Sequence, residues 1–342
     1  MPFPVGTWRS LVAYLNGVQG VVGSNPTVPT THSKWVGSGS AAHGTERELN
    51  IPENEPKEPR SVTLLLHCPL RLGLAAGLTQ FIYTHGGRIL YHEQYVDTES
   101  DHYYTRLKWD VSSFSTTDAE MAERLRALVG SGLETEWSLH NSDQILRMAV
   151  FVSKDPWCLY DILARSTSGE WAVEVPVIVS NHADLEPVAR RFGVEFRSFS
   201  ITKENKSEVE EEQLTVLQSH RIDVVVLARY MQILTGRFVQ VYPSRMINIH
   251  HAFLPAFPGA RPYHSARERG VKIIGATSHY VTEALDAGPI IEQDVLRVTH
   301  RHSVQDLIRS GRDLEKVVLS RAIRSHLERK IIVHKGRTVV FH

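Results

Sequence analysis

LRMAVFVS, residues 146–153, is apolar at odd and even positions alike, with Arg147 its one charge and a serine at its end. A strand with no solvent face is one covered by helices on both sides, the habit of parallel sheets. VEVPVIVS (173–180), VEFRSFSI (194–201) and DVVVLA (223–228) are further strands. Helix-like stretches, such as 185–192 and 207–219, separate them. This βαβα alternation predicts an α/β domain with a mostly parallel, Rossmann-like sheet over residues 145–342. Ligands in such folds sit at the carboxyl ends of the strands. MINIH (246–250), KIIGATSHYV (272–281) and PIIEQDVLRV (289–298) continue the sheet. Ser303 and Asp306 form a capping-box pair that opens the last long helix. IIVHKGRTVVF (331–341) reads as a closing hairpin with its turn at Lys335 and Gly336.

Upstream, the periodicity changes. VTLLLH (62–67) is a strand and CPLRLG (68–73) a turn. Leu74, Leu78, Phe81 and Ile82 then recur at helical spacing. ILYHEQYV (89–96) and HYYTRLKWDV (102–111) are strands, 119–128 is a helix with Met121, Leu125 and Leu128 on one face, and a strand follows near 134–139. The order βαββαβ over residues 59–142 is the ferredoxin-like split βαβ plan. Residues 1–58 differ again: the first acid is Glu46, and only Arg9 and Lys34 are basic before it. Such an acid-poor, Ser/Thr-rich start suits a transit peptide to the mitochondrial matrix. It equally suits a disordered extension on a cytoplasmic protein. IPENEPKEPR (51–60) is a Pro- and charge-rich linker.

Composition bounds the function. The 342 residues suffice for two cores; 38 basic and 38 acidic residues cancel, which gives no electrostatic pull toward nucleic acid or an anionic membrane. Two cysteines, Cys68 and Cys158, fall in different domains and imply no disulfide framework. No apolar run reaches the 18 or so residues of a membrane span.

The chemistry is expected in INIHHAFLPAFPGARPYH (247–264), which starts at a strand end. A strand-end histidine bonded to a loop is the plain expectation for His250 or His251. As neighbours on a strand the two would face opposite ways, and no Cys pair or His-Glu-x-x-His motif accompanies them, so no metal is expected. Asn248 and His250 share a face, and Asp286 lies in DAGPII between two later strands. Asn, His and Asp together suit acyl transfer: Asn donates to an oxyanion, His moves a proton, Asp orients His or a water. Tyr263 and His264 are candidates for lining the space of an acceptor amine, with loop packing the simpler expectation. A structural role is expected for His279.

The Asn-Ile-His with Leu-Pro four residues on, and the distant Asp-x-Gly-x-Ile-Ile, resemble the folate-dependent formyltransferase fold over about 145–341. The resemblance implies a catalytic triad of Asn248, His250 and Asp286. It also implies a folate site at Met231, Gln232, Ile233 and Leu234, whose segment ARYMQIL matches the one that cradles the pterin. Residues 59–142 resemble an ACT domain, although Leu70 and Leu72 stand where Asp and Pro are common. That resemblance makes an amino-acid effector a candidate partner and a homo-oligomer the expected assembly.

The whole chain is similar to the formyltetrahydrofolate deformylases. VSKDPWCLYDIL, VIVSNHADLEPVARRFG and GATSHYVTEALDAGPIIEQDV carry that likeness. It implies hydrolysis of 10-formyltetrahydrofolate to formate and tetrahydrofolate, feeding purine synthesis and balancing folate pools. Folate is then the substrate, and neither cofactor nor metal is implied. Glycinamide ribonucleotide formyltransferases carry a Gly-rich phosphate loop after the first strand, and 153–159 has no glycine. Trp157, Ala252 and Pro258 stand where the family commonly has His, Ser and Lys. A formyltransferase with an unidentified amine acceptor, and a non-catalytic folate or amino-acid sensor, are the alternatives.

Overall fold

The structure, a computed structural model, describes residues 59–342 apart from 131, 133 and 256–261. The expected extension and linker at 1–58, and Pro258, lie outside the described residues.

The chain first forms β1 (Ser61–Pro69), α1 (Leu74–Thr84), β2 (Arg88–Asp97), β3 (His102–Asp110), α2 (Asp118–Val129) and β4 (Glu136–Asn141). The strands make an antiparallel sheet ordered β2-β3-β1-β4. Val62, Leu64, Leu66 and Cys68 alternate along β1 and bury with Leu78 and Ile82 of α1 and Met121 and Leu125 of α2. Thr117 and Glu120 cap α2 reciprocally. The fourth strand begins slightly later than its sequence suggests, because Thr135 N–H closes a turn onto the carbonyl of Gly132.

The larger sheet follows: β5 (Leu146–Val152), α3 (Trp157–Thr167), β6 (Val173–Ser180), α4 (Glu186–Arg191), β7 (Glu195–Ser198), α5 (Lys206–Ser219), β8 (Val224–Leu227), α6 (Gly236–Val241), β9 (Met246–His250), α7 (Pro262–Glu268), β10 (Ile273–Tyr280), β11 (Ile290–Arg297) and α8 (Val304–Leu327). Its order is β11-β10-β9-β8-β5-β6-β7. The strands from β7 to β9 are parallel, and β10 and β11 are antiparallel. Met148, Val150 and Val152 of β5 pack toward α3 and α8, while Ala149 and Phe151 pack toward α5 and α6. Both faces are covered, as the unbroken apolar run requires. The chain winds out from β5 to β7, then returns to β8. The order therefore reverses between β5 and β8, where doubly wound sheets open a binding crevice.

A hairpin, β12 (Ile331–His334) and β13 (Arg337–Val340), ends the described chain. It seats on the first sheet: Ile332 and Phe341 bury with Tyr104. Arg106 of β3, itself buried, donates to the carbonyls of Glu328 and Arg329 just past α8. Each large apolar side chain so buried contributes about 1.5–3 kcal/mol. Cys68 and Cys158 are buried and free. No described helix is long and apolar enough to cross a membrane.

Behind this seam lie two partly buried histidines, His140 and His326. Burial, then Arg329, pulls the pKa of His140 from 6.5 to about 4. Burial, then Arg329, His140 and Arg245, pulls that of His326 from 6.5 to about 3. In the unfolded chain both return to about 6.5, so below that pH the unfolded state binds more protons. Their contribution to stability is complete above about pH 6.5 and is lost as pH falls toward 4, at up to about 1.4 kcal/mol per pH unit per group. Urea midpoints measured from pH 7.5 to 4.5 should fall steeply in the wild type. They should fall less steeply in His326→Gln, which can keep the bond to Tyr280; equal slopes would remove His326 from this account.

Candidate active site

The carboxyl ends of β8 and β9 open into a cavity of about 350 Å³. Asn248, His250 and Asp286 line it, as do Met231, Gln232, Ile233 and Leu234. The expected triad and the four residues of the expected folate segment thus meet in one space. Its volume lies within the range of small-molecule sites.

β9 delivers Asn248 and His250 two residues apart, so both side chains leave the same face. Beyond the strand, the turn is held from β10 and β11. Thr277 donates to the carbonyl of Ala252 (2.9 Å) and accepts from the N–H of Leu254 (3.1 Å), and Gln293 donates to Thr277 and to the carbonyl of Leu254. Strand geometry ends at His250, so His251 does not face the opposite side. The two imidazoles stack, 5.1 Å apart and 19° from parallel. Strand alternation therefore does not keep the two rings apart. Their Nδ1 atoms nonetheless go to different partners, Asp286 for His250 and Arg229 for His251.

Asp286 comes from the loop between β10 and β11. It sits in the left-handed region at φ 53°, as does Arg229, another residue of the cavity lining, at φ 65°. Non-glycine residues held there cost about 1 kcal/mol or more, and such strain gathers at functional sites. Asp286 Oδ2 lies 3.3 Å from His250 Nδ1. Its bond to His250 holds the carboxyl well below the usual carboxylate range, against the opposing effect of burial. A carboxylate only accepts, so the neutral His250 carries its proton on Nδ1. Its Nε2 then presents a lone pair. That atom is buried and has no hydrogen-bond partner among the described residues.

His279 is more than a packed histidine. It faces Asn248 directly across the antiparallel β9–β10 pair. Its Nδ1 donates to the carbonyl of Tyr280 (2.9 Å), which leaves Nε2 to accept from Asn248 Nδ2 at 3.2 Å. Asp286 Oδ1, at 3.7 Å, is beyond hydrogen-bond length. One amide proton of Asn248 is thereby spent on His279, and the other is available to the cavity. Only the antiparallel register reveals this pairing, and the sequence does not state the direction of β10.

Met231 and Ile233 are exposed while Leu234 is buried, so the segment combines an apolar rim with a core anchor. The N–H of Met231 donates to Ser153 (2.9 Å). Tyr263 and His264 do not line the cavity: both lie on α7, Tyr263 donates to Glu315 (2.8 Å), and His264 is exposed.

Residues 146–323 match the formyl transferase family. A formyltetrahydrofolate deformylase of Synechocystis is 52% identical over 281 residues, covering 82% of this chain and 98% of that one. The one from Bacillus subtilis is 42% identical over 280 residues, covering 82% and 93%. The chain belongs to the formyltetrahydrofolate deformylase family. A crystal structure of the Pseudomonas syringae deformylase superposes with a TM-score of 0.81 at 39% identity, over 84% of this chain and 96% of that one.

For a deformylase, the wall behind Arg229 went unread in the sequence. Glu315 sits on the buried stripe of α8, 1% exposed. It accepts from Trp157 Nε1 (3.0 Å) and Tyr263 (2.8 Å) and lies 3.7 Å from Arg229, which also pairs with Asp155 at 3.2 Å. Trp157 supplies the ring N–H of this network. A glutamate at a helical core position was the available signal, since buried carboxylates need such partners.

Proposed function

We propose that the chain hydrolyses 10-formyltetrahydrofolate to formate and tetrahydrofolate, with Asn248, His250 and Asp286 acting at the formyl carbon. The observation that carries this is the buried, unpartnered Nε2 of His250, a residue that lines one cavity together with Asn248, Asp286 and the Met231–Leu234 segment. The pterin lies against that segment. Asn248 donates to the formyl oxygen as it becomes anionic. His250 Nε2 takes a proton from water as the water oxygen bonds the formyl carbon. Asp286 holds the resulting imidazolium. The same proton passes to N10, the C–N bond breaks, and formate and tetrahydrofolate leave.

Water rather than an amine as acceptor is supported by the segment after β5. Arg229 and Arg312 both rest on the Trp157 ring, at 5.7 and 4.3 Å, and Glu315 ties its nitrogen. An indole fixed in a segment, 153–159, that has no glycine is a poor cradle for a phosphate-bearing amine.

Formate release from 10-formyltetrahydrofolate in buffer alone tests the reading. Release that appears only on adding an amine would favour the transferase alternative. Asp286→Asn should lower kcat about 10²–10³-fold; near-normal turnover would remove Asp286 from the scheme.

The remaining expectations rest on narrower grounds. The edge strand β2 exposes Ile89, Leu90 and Tyr95, which supports pairing of two copies along it; sedimentation of Leu90→Lys against wild type tests this. An amino-acid effector at the first sheet would show in calorimetry. A reporter fused to residues 1–58 tests mitochondrial against cytoplasmic placement.

A further inference from the structure

We propose that His67, His102 and His334 form a zinc-class divalent cation site that clamps the final hairpin to the first sheet. The three come from β1, β3 and β12, and one ligand atom from each lies within 4.8 Å of the others. His67 Nδ1 and His102 Nε2 are 3.3 Å apart. Tetrahedral zinc with Zn–N near 2.05 Å needs ligand nitrogens about 3.3 Å apart. That edge is already at the right length. The wider separations close by at most about 1.5 Å, within reach of a ring rotation at half-buried His334.

The outer nitrogens fit as well. Glu136 Oε2 lies 3.5 Å from His67 Nε2, and a carboxylate can only accept there, which places a lone pair on Nδ1. Tyr104 hydroxyl bonds His334 Nδ1 at 2.7 Å, leaving Nε2 for a ligand. A metal-binding histidine usually gives its second nitrogen to such a partner. Glu134, Glu136 and Asp97 supply negative charge around the cluster, and Lys335 opposes them. The three imidazoles pack against one another with centroids 4.3–5.5 Å apart. Water or another oxygen donor completes the fourth position on the side of His334. The site belongs to the first sheet and the hairpin, so it acts on their attachment and not on the formyl group.

The test uses the untagged full chain, stripped with EDTA and dialysed against Zn²⁺ or Co²⁺. One equivalent of zinc should bind per chain and raise Tm by about 5 °C at a hundredfold excess over Kd. Co²⁺ should give the intense visible absorption of a tetrahedral site. His334→Gln, which can keep a bond to Tyr104, should lose the equivalent and the Tm shift yet release formate at the wild-type rate. No binding by wild type, or the same equivalent in the variant, would overturn the proposal. The Co²⁺ spectrum needs no variant, so a misfolded His334→Gln leaves the test intact.

Discussion

His250→Ala should lower formate release about 10³-fold or more, while leaving the fold and folate affinity close to wild type. The substitution removes the group that takes a proton from water and returns it to N10, and general acid–base catalysis is worth about 10²–10⁴. It leaves the Met231–Leu234 wall and the Asn248 amide in place, so the loss should fall on kcat and spare KM. It also orphans Asp286, whose carboxyl His250 holds well below its usual range. Asp286 and His250 act as one unit, so their effects should not add. His250→Ala combined with Asp286→Asn should be about as slow as His250→Ala alone. A double variant slower by the product of the two losses would mean that Asp286 works independently, on the water itself. Stopped-time formate assays with and without saturating substrate separate these outcomes.

Gly288→Ala should be the most damaging single methyl in the site. A Cβ there would lie 1.7 Å from the carbonyl oxygen of Tyr280, a backbone atom that cannot turn aside. Tyr280 N–H is bonded to Pro289 at 2.9 Å, so both edges of the loop would have to part. The expected cost is about 3 kcal/mol, the upper end of overpacking penalties. The displaced atoms lead directly to Asp286, two residues away, so activity should fall even where the chain still folds. Gly77→Ala is the matched control. Its Cβ meets the end of the Leu128 side chain at 3.1 Å, which can yield, and helix propensity gains. Urea unfolding should separate the two by more than 2 kcal/mol; similar midpoints would mean that the loop relaxes freely.

Much of this was legible because local pattern carries it. Residues 146–152 have no polar face, and a strand covered on both sides is their one economical solution. Asn248 and His250 needed only the two-residue period of a strand to share a face. Asp286 was legible as a chemical type in a turn, and its partner was not, since 36 residues of chain had to fold back first. His279 was underestimated for the same reason: its role comes from lying opposite Asn248 in an antiparallel pair. Stacking of His250 on His251 was misread because strand alternation was carried one residue past the strand. Glu315 was not singled out in the sequence, although its spacing from Gly311, Leu319 and Ala322 puts it on the buried stripe.

The hairpin that seats on the first sheet sets an order of events during synthesis. Tyr104 leaves the ribosome more than two hundred residues before Ile332 and Phe341, which cover it. At ordinary elongation rates that gap lasts about 10–50 s. Throughout it, β1 and β3 must stand with one apolar patch bare and with Arg106 lacking the carbonyls it will bind. A growing chain in that state is a substrate for holding chaperones and a candidate for sticking to its neighbours on the same messenger. Slow codons late in the message would lengthen the exposure, so the yield of native protein should depend on translation speed near its end, far from the strands at risk.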